Sequence, residues 1–218
     1  GYLNKAAYEG VPVAEWVDSM GLVGVVLNYR TKPKASYSYM DIKRAIRFIR
    51  HNAYEFGVDP DRIGVLGFSA GGHLCAYAGT HFDSGNPDAA DPVERMSSRP
   101  NAMILCYPVI TYGEHGAIGC LKNLYNTEDI TQEDIERESM ELHVKPGTPP
   151  AFMWHTSVDD IDVRNSLLMG AAMREKRIPF ELHVFPLGPH GMTLGNGDKI
   201  VSQWTTLCYN WLESIGFR

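Results

Sequence analysis

The 218-residue sequence predicts an α/β fold, a mostly parallel central sheet with helices on both faces. Three observations predict it. Short β-branched runs recur along the chain, too continuously apolar to have one wet face. Segments with apolar residues at helical spacing separate them. Strand, helix and strand in succession imply right-handed crossovers, and hence parallel pairing with the reactive loops at the carboxyl ends of the strands.

Taken in order, residues 11–20 place Val13, Trp16, Val17 and Met20 on one helical stripe, with Pro12 near the start and Gly21 as the stop. Residues 23–29 (VGVVLNY) read as the first strand. Residues 39–56 read as a helix with Ile42, Ala45, Ile46, Ile49, Ala53 and Phe56 along one stripe. Lys43, Arg44, Arg47 and Arg50 lie opposite, as a solvated face would. Residues 62–68 form the second strand and 70–80 the helix after it; 101–107 (NAMILCY), 151–156 (AFMWHT) and 179–185 (PFELHVF) are three further strands. Residues 164–176, with Leu167, Leu168, Ala171 and Ala172 on one face, and residues 198–213, with Ile200, Trp204, Leu207, Cys208 and Trp211, supply the last two helices. One stretch breaks the rhythm. Residues 108–150 are long and weakly periodic, and acidic over 128–141, which suggests a small lid-like insertion within a single domain spanning 1–218.

Composition narrows the function without naming it. With 44% hydrophobic and 21% charged residues, disorder, coiled coil and collagen are excluded. A formal charge of −6 argues against a nucleic-acid partner. No apolar run reaches the 18 residues of a membrane span. Cys75, Cys106, Cys120 and Cys208 have neither C-x-x-C spacing nor the density of a disulfide scaffold, so the cytoplasm is the expected compartment.

Chemistry concentrates at Gly67-Phe68-Ser69-Ala70-Gly71, a G-x-S-x-G sequence between a predicted strand and a predicted helix. A turn this tight strains the serine and lifts its hydroxyl above the sheet. Gly67 and Gly71 lack the Cβ that would keep strand and helix apart. The amide of Ala70, at the helix start, is aimed where an oxyanion would form and gains from the helix dipole. A serine hydroxyl needs a base. Among eight histidines, His190 stands in the loop after the fifth strand and before the last helix, at the carboxyl end of the sheet, whereas His51, His81, His115 and His143 have no supporting context. His73 lies on the helix after Ser69, and His155 and His183 lie within strands, where packing roles are expected. The base in turn needs a carboxylate, for which Asp159, Asp160 and Asp162, just past the strand ending at Thr156, are candidates. Three neighbouring carboxylates could also hold a hard metal ion, but no second cluster supports one, and no metal is expected.

Four segments, residues 67–74 (GFSAGGHL), 148–156 (TPPAFMWHT), 163–167 (VRNSL) and 182–191 (LHVFPLGPHG), resemble the bacterial acetyl esterase and acetylxylan esterase branch of the α/β-hydrolases. The resemblance runs essentially the length of the chain. It implies Ser69 as nucleophile, His190 as base and the acid three residues after Thr156, which is Asp159. The run Asp159-Asp160-Ile161-Asp162-Val163 departs from the family's usual Val-Pro-Val step and keeps Asp160 as an alternative. The resemblance also places Gly1-Tyr2 inside the family's Gly-Gly-Gly-Tyr oxyanion loop, beside the Ala70 amide. In the family a strand leads into that loop and lies between the counterparts of residues 23–29 and 62–68. The expectation is that the sequence is part of a longer product. The alternatives are that the two flanking strands pair directly, or that another chain fills the gap, as a homo-oligomer formed through the sheet edge would.

The activity so implied is hydrolysis of short-chain esters, acetyl above all, on carbohydrate, through an acyl-enzyme. The substrate is a small-molecule or oligosaccharide ester, and no cofactor is expected because serine and imidazole supply the chemistry. Tyr107, Pro108 and Val109, leaving the third strand at the site end, are expected to line the pocket. Amidase or formamidase chemistry on the same residues, or a catalytically impaired hydrolase-like protein, are the alternatives.

Overall fold

A computed structural model describes residues 1–3, 6–31 and 35–217, with the backbone alone at 35 and 36. Its element order is α1 (Val11–Ser19), α2 (Ala35–His51), α3 (Ala53–Phe56), β1 (Gly64–Phe68), α4 (Ala70–Thr80), β2 (Ala102–Cys106), α5 (Ile118–Tyr125), α6 (Gln132–Glu138), β3 (Ala151–Thr156), α7 (Arg164–Glu175), β4 (Phe180–Phe185) and α8 (Gln203–Ser214). The four strands form one sheet in the order β1-β2-β3-β4, every pair parallel. Strand order equal to chain order means that each crossover steps one strand along the sheet.

Side chains alternate along the central strands, as the pleat requires. Met103, Leu105, Ala151 and Met153 enter one core with Leu74, Cys75 and Ala78 of α4, Ile42 and Ile46 of α2, and Met169 and Met173 of α7. Ala102, Ile104, Cys106, Phe152 and Trp154 enter the other, against Val13 of α1 and Trp204, Cys208, Trp211 and Leu212 of α8. Trp154 stacks on Trp204 with ring centroids 5.3 Å apart, joining sheet and C-terminal helix. Every residue of β2 and β3 is buried, so both faces of the sheet are covered and the near-continuous apolar runs are explained. Among the described residues no helix is long and apolar enough to cross a membrane.

Residues 23–29 are a correction. They form no strand, and β1 has β2 as its one ladder neighbour among the described residues, so the flanking strands do not pair directly. Val23 and Val25 are 54% and 62% exposed, whereas Leu27 and Tyr29 lean on the core of α2 and α4. A β-branched run favours extension, but a strand is defined by its partner, and among the described residues this run has none. The predicted helix over 39–56 starts earlier, at Ala35, and breaks at Asn52, whose side-chain amide donates to the Phe48 carbonyl at 2.8 Å. The helix predicted from 198 begins at Gln203. The Asp198 carboxylate instead takes the amides of Ile200 and Val201 at 2.8 and 2.9 Å and holds a turn.

Residues 108–150 carry α5 and α6, and Val109, Ile110, Tyr112, Leu121, Leu124 and Met140 belong to the main core. The Asn165 side chain on α7 accepts the amides of Ile110 and Thr111 at 2.8 and 3.0 Å, pinning the start of the stretch to the sheet.

The β1–α4 turn depends on glycine, but not at both expected places. A Cβ on Gly67 would lie 2.2 Å from the Gly71 carbonyl oxygen, while one on Gly71 would meet nothing within 4 Å. Gly72 makes the second close approach, 2.6 Å from Pro108 Cβ. Gly67→Ala is therefore expected to cost about 3 kcal/mol or more in urea denaturation, because backbone must move. Gly71→Ala, inside a helix with open space, is expected to be neutral or to add ~0.5–1 kcal/mol.

Candidate active site

Ser69 joins β1 to α4 with φ 52 and ψ −116, a left-handed backbone for a non-glycine residue. Three main-chain bonds hold it there. Its amide donates to Cys106 O at 3.0 Å, and its carbonyl takes the amides of His73 and Val109 at 3.2 and 3.0 Å. The strained serine is thus tied to α4, to the end of β2 and to the loop beyond it.

The structure brings Ser69, His190 and Asp159 together across three loops. His190 Nε2 lies 2.9 Å from Ser69 Oγ and His190 Nδ1 2.8 Å from Asp159 Oδ1. A carboxylate only accepts, so Nδ1 carries the proton and Nε2 presents its lone pair to the serine hydroxyl. The Asp159 side chain is 1% exposed, and its Oδ1 also accepts the amide of Ile161 at 2.7 Å. Beneath it, His155 donates from Nε2 to Ile161 O at 2.8 Å and accepts the Ser166 hydroxyl at Nδ1, 2.9 Å away. Burial pushes the His155 pKa down, against the pull of Asp159, whose Oδ2 is 3.8 Å distant.

The other two aspartates are placed elsewhere. Asp160 is exposed. Asp162 pairs with Arg164, which lowers its pKa to about 2.

The His190 loop is held by its own hydrogen bonds and by aromatic contact. The Thr156 hydroxyl, at the end of β3, donates to Gly188 O at 2.7 Å, and Gly188 takes φ 138 where a Cβ would strike Met192 Sδ at 2.4 Å. The Tyr107 ring meets His190 edge-on at 5.0 Å. Its hydroxyl accepts the Thr193 amide at 3.1 Å and donates to Glu9 Oε1 at 3.3 Å. Burial raises the Glu9 carboxyl pKa, the Tyr107 bond partly opposing it. Of the residues expected to line a pocket, Tyr107 is thus a buttress behind His190, Pro108 packs on Gly72, and Val109 lies in the core. Glu9 carries no signal of this in the sequence, because nothing in its local pattern links it to a loop some 180 residues away.

Ala70 opens α4, where the first amides of a helix have no intrahelical acceptor. Gly1 stands beside it. A Cβ on Gly1 would lie 3.2 Å from Ala70 Cβ and 2.4 Å from Cys120 Sγ. Tyr2 is buried, with φ 60, and reaches His73.

The BD-FAE family model matches residues 4–172. The chain belongs to the BD-FAE family. Endo-1,4-beta-xylanase B of Butyrivibrio fibrisolvens is 39% identical over the whole of this BD-FAE chain, which covers 35% of that protein. The acetylxylan esterase of Xylanibacter ruminicola is 29% identical over 95% of the chain, which covers 42% of it. The chain thus spans less than half the length of these two relatives. Among solved structures, the acetyl ester-xyloside bifunctional hydrolase from Caldicellulosiruptor lactoaceticus superposes with a TM-score of 0.94 at 44% identity, over 99% of this chain and 80% of that one.

Burial holds His155 and His73 neutral in the folded protein, with pKa values below the ordinary 6.5. The unfolded chain then binds more protons below about pH 6.5, so stability is full above that value and declines as pH falls toward the folded pKa values. Urea denaturation should give a lower unfolding free energy at pH 5 than at pH 7. The difference should shrink in His155→Gln.

Proposed function

We propose that this chain is a serine esterase that hydrolyses short-chain esters, acetyl esters of carbohydrate above all, through Ser69, His190 and Asp159. The observation that carries the reading is the unbroken hydrogen-bonded line from Asp159 through His190 to the strained Ser69. Ser69 Oγ attacks the ester carbonyl carbon as its proton passes to His190 Nε2, and the charge on the imidazolium is offset by Asp159. The carbonyl oxygen becomes an oxyanion facing the Ala70 amide and the main chain of Gly1 and Tyr2. The carbon–oxygen bond to the alcohol then breaks, and the proton on Nε2 goes to the departing alkoxide. Water gives a proton to Nε2 and attacks the acyl carbon, and Ser69 leaves and recovers its proton. Residues on this chain supply every proton acceptor the two steps need.

The preference for acetylated carbohydrate rests on relatives whose names join acetyl ester and xylan chemistry. The 108–150 stretch begins where β2 ends, with the Val109 amide on the Ser69 carbonyl at 3.0 Å, and on that adjacency we assign it as the wall that limits substrate size.

Hydrolysis of p-nitrophenyl acetate and of acetylated xylo-oligosaccharides, followed by acetate release, tests the reading. Ser69→Ala is expected to lower kcat by at least about 10⁴-fold, and Asp159→Asn by a similar factor through loss of the correct imidazole tautomer. Asp160→Asn should stay within about twofold of the parent. Equal loss in Asp160→Asn would move the acid to that residue. Faster turnover of the matched amide than of the ester would replace esterase by amidase.

A further inference from the structure

Outside the Ser69 line lies a second buried polar chain, and it ends at the main chain beside Ala70. Tyr2 is 2% exposed, and its hydroxyl lies 2.8 Å from Nδ1 of His73. His73, 0% exposed, sits one helical turn after Ser69, and its Nε2 lies 2.9 Å from the main-chain carbonyl of Glu138. That carbonyl is among the last of α6, where no amide within the helix can reach it. Because a carbonyl accepts only, Nε2 carries the proton, Nδ1 is the acceptor, and the Tyr2 phenol donates. Burial lowers the His73 pKa, in keeping with a neutral ring that fills both roles.

The chain continues past His73. The Glu138 carboxylate, on a residue 3% exposed, accepts the hydroxyls of Tyr39 on α2 and Tyr125 on α5. Arg137 donates to Tyr125 at 3.0 Å and stands 3.7 Å from Glu138 Oε1. Gly1, one residue before Tyr2, is enclosed between Ala70 and Cys120, and its carbonyl takes the Asn123 side-chain amide at 3.2 Å. Both residues at the oxyanion edge are therefore fastened, Tyr2 through α4 to α6 and Gly1 to α5.

We propose that His73 is a positioning residue for the oxyanion edge: gripping the α6 carbonyl with one nitrogen and the Tyr2 phenol with the other, it sets the Gly1–Tyr2 main chain against Ala70 and couples α6 to the site. The proposal rests on the esterase reading above. Hydrophobic packing alone would not need a ring with a donor on one side and an acceptor on the other. The left-handed backbone of Tyr2 would relax without the bond that holds it.

The test uses Tyr2→Phe, which removes the phenol donor at nearly constant volume, together with His73→Gln and His73→Phe. For p-nitrophenyl acetate, kcat in Tyr2→Phe should fall about 10-fold with KM within twofold. That is less than the 10²–10³ that follows outright loss of an oxyanion donor. Affinity for a boronic acid that forms a tetrahedral adduct on Ser69 should weaken by the same factor. His73→Gln, whose amide offers both a donor and an acceptor, should recover most of the activity that His73→Phe loses. Unchanged kcat and boronate affinity in Tyr2→Phe, with an active parent, overturns the positioning role and leaves the esterase reading intact. A parent that neither turns over esters nor reacts with a fluorophosphonate at Ser69 overturns both. Equal loss in His73→Gln and His73→Phe, with Tyr2→Phe unaffected, makes His73 a packing residue only.

Discussion

The structure depends on one close approach, that of β1 and α4 at Gly67. No Cβ fits between this strand and the helix that follows, because the carbonyl of Gly71 occupies its place. The chain must reverse within a single residue, and Ser69 takes the left-handed backbone that the reversal demands. Its amide and carbonyl are held to β2 and to the loop after it, so the strain is fixed by the sheet and not by the serine itself. A hydroxyl raised in this way stands clear of the β1–α4 packing, within reach of groups arriving from the ends of β3 and β4.

Those groups arrive already oriented. The parallel sheet puts the ends of β3 and β4 side by side, and Thr156 binds the loop after β4 through Gly188. Asp159 is shielded from water and held by the Ile161 amide, so it faces His190 without rearrangement. Tyr107, in a positive-φ conformation at the end of β2, supports the imidazole from behind. Preorganisation of this kind places the cost of desolvation and alignment in folding.

The two layers beside the sheet contribute differently. On the α1 and α8 side the contacts are aromatic and apolar, led by Trp154 and Trp204, and they serve to hold the sheet. The α2, α4, α5 and α6 side contains the buried Glu138 with three charged or hydroxyl-bearing neighbours, and the Tyr2–His73 pair that leads from it to the site. A polar network fully satisfied in this way fixes relative positions more narrowly than apolar packing, because each bond has one partner and one direction.

Much of this was legible in the residues themselves. The bounds of α4, β2, β3 and α7 agree with those read from the sequence to within a residue or so, but the apolar face of α7 does not: Leu167 and Leu168 are 46% and 38% exposed, while Asn165, Ser166, Met169, Gly170 and Met173 are buried. G-x-S-x-G between strand and helix marks Ser69, and the position of His190 beyond the last strand marks it, since both follow from local chemistry and chain order. Three adjacent aspartates could not be separated locally. Asp159 differs from Asp160 and Asp162 only in which way the turn after β3 directs it and in Arg164 capturing Asp162. Residues 23–29 have strand composition but no strand, because a ladder needs a partner that local sequence does not contain. Glu9, His73 and Glu138 gain their meaning from contacts 65 to 98 residues away in the chain. Sequence by itself determined the alternation of elements and singled out Ser69 and His190 as candidates, which are local properties of spacing and chemical type. Tertiary structure alone decided which carboxylate meets the imidazole, which glycines are indispensable and which buried polar groups bind one another, because those depend on distances between segments that the order of residues leaves open.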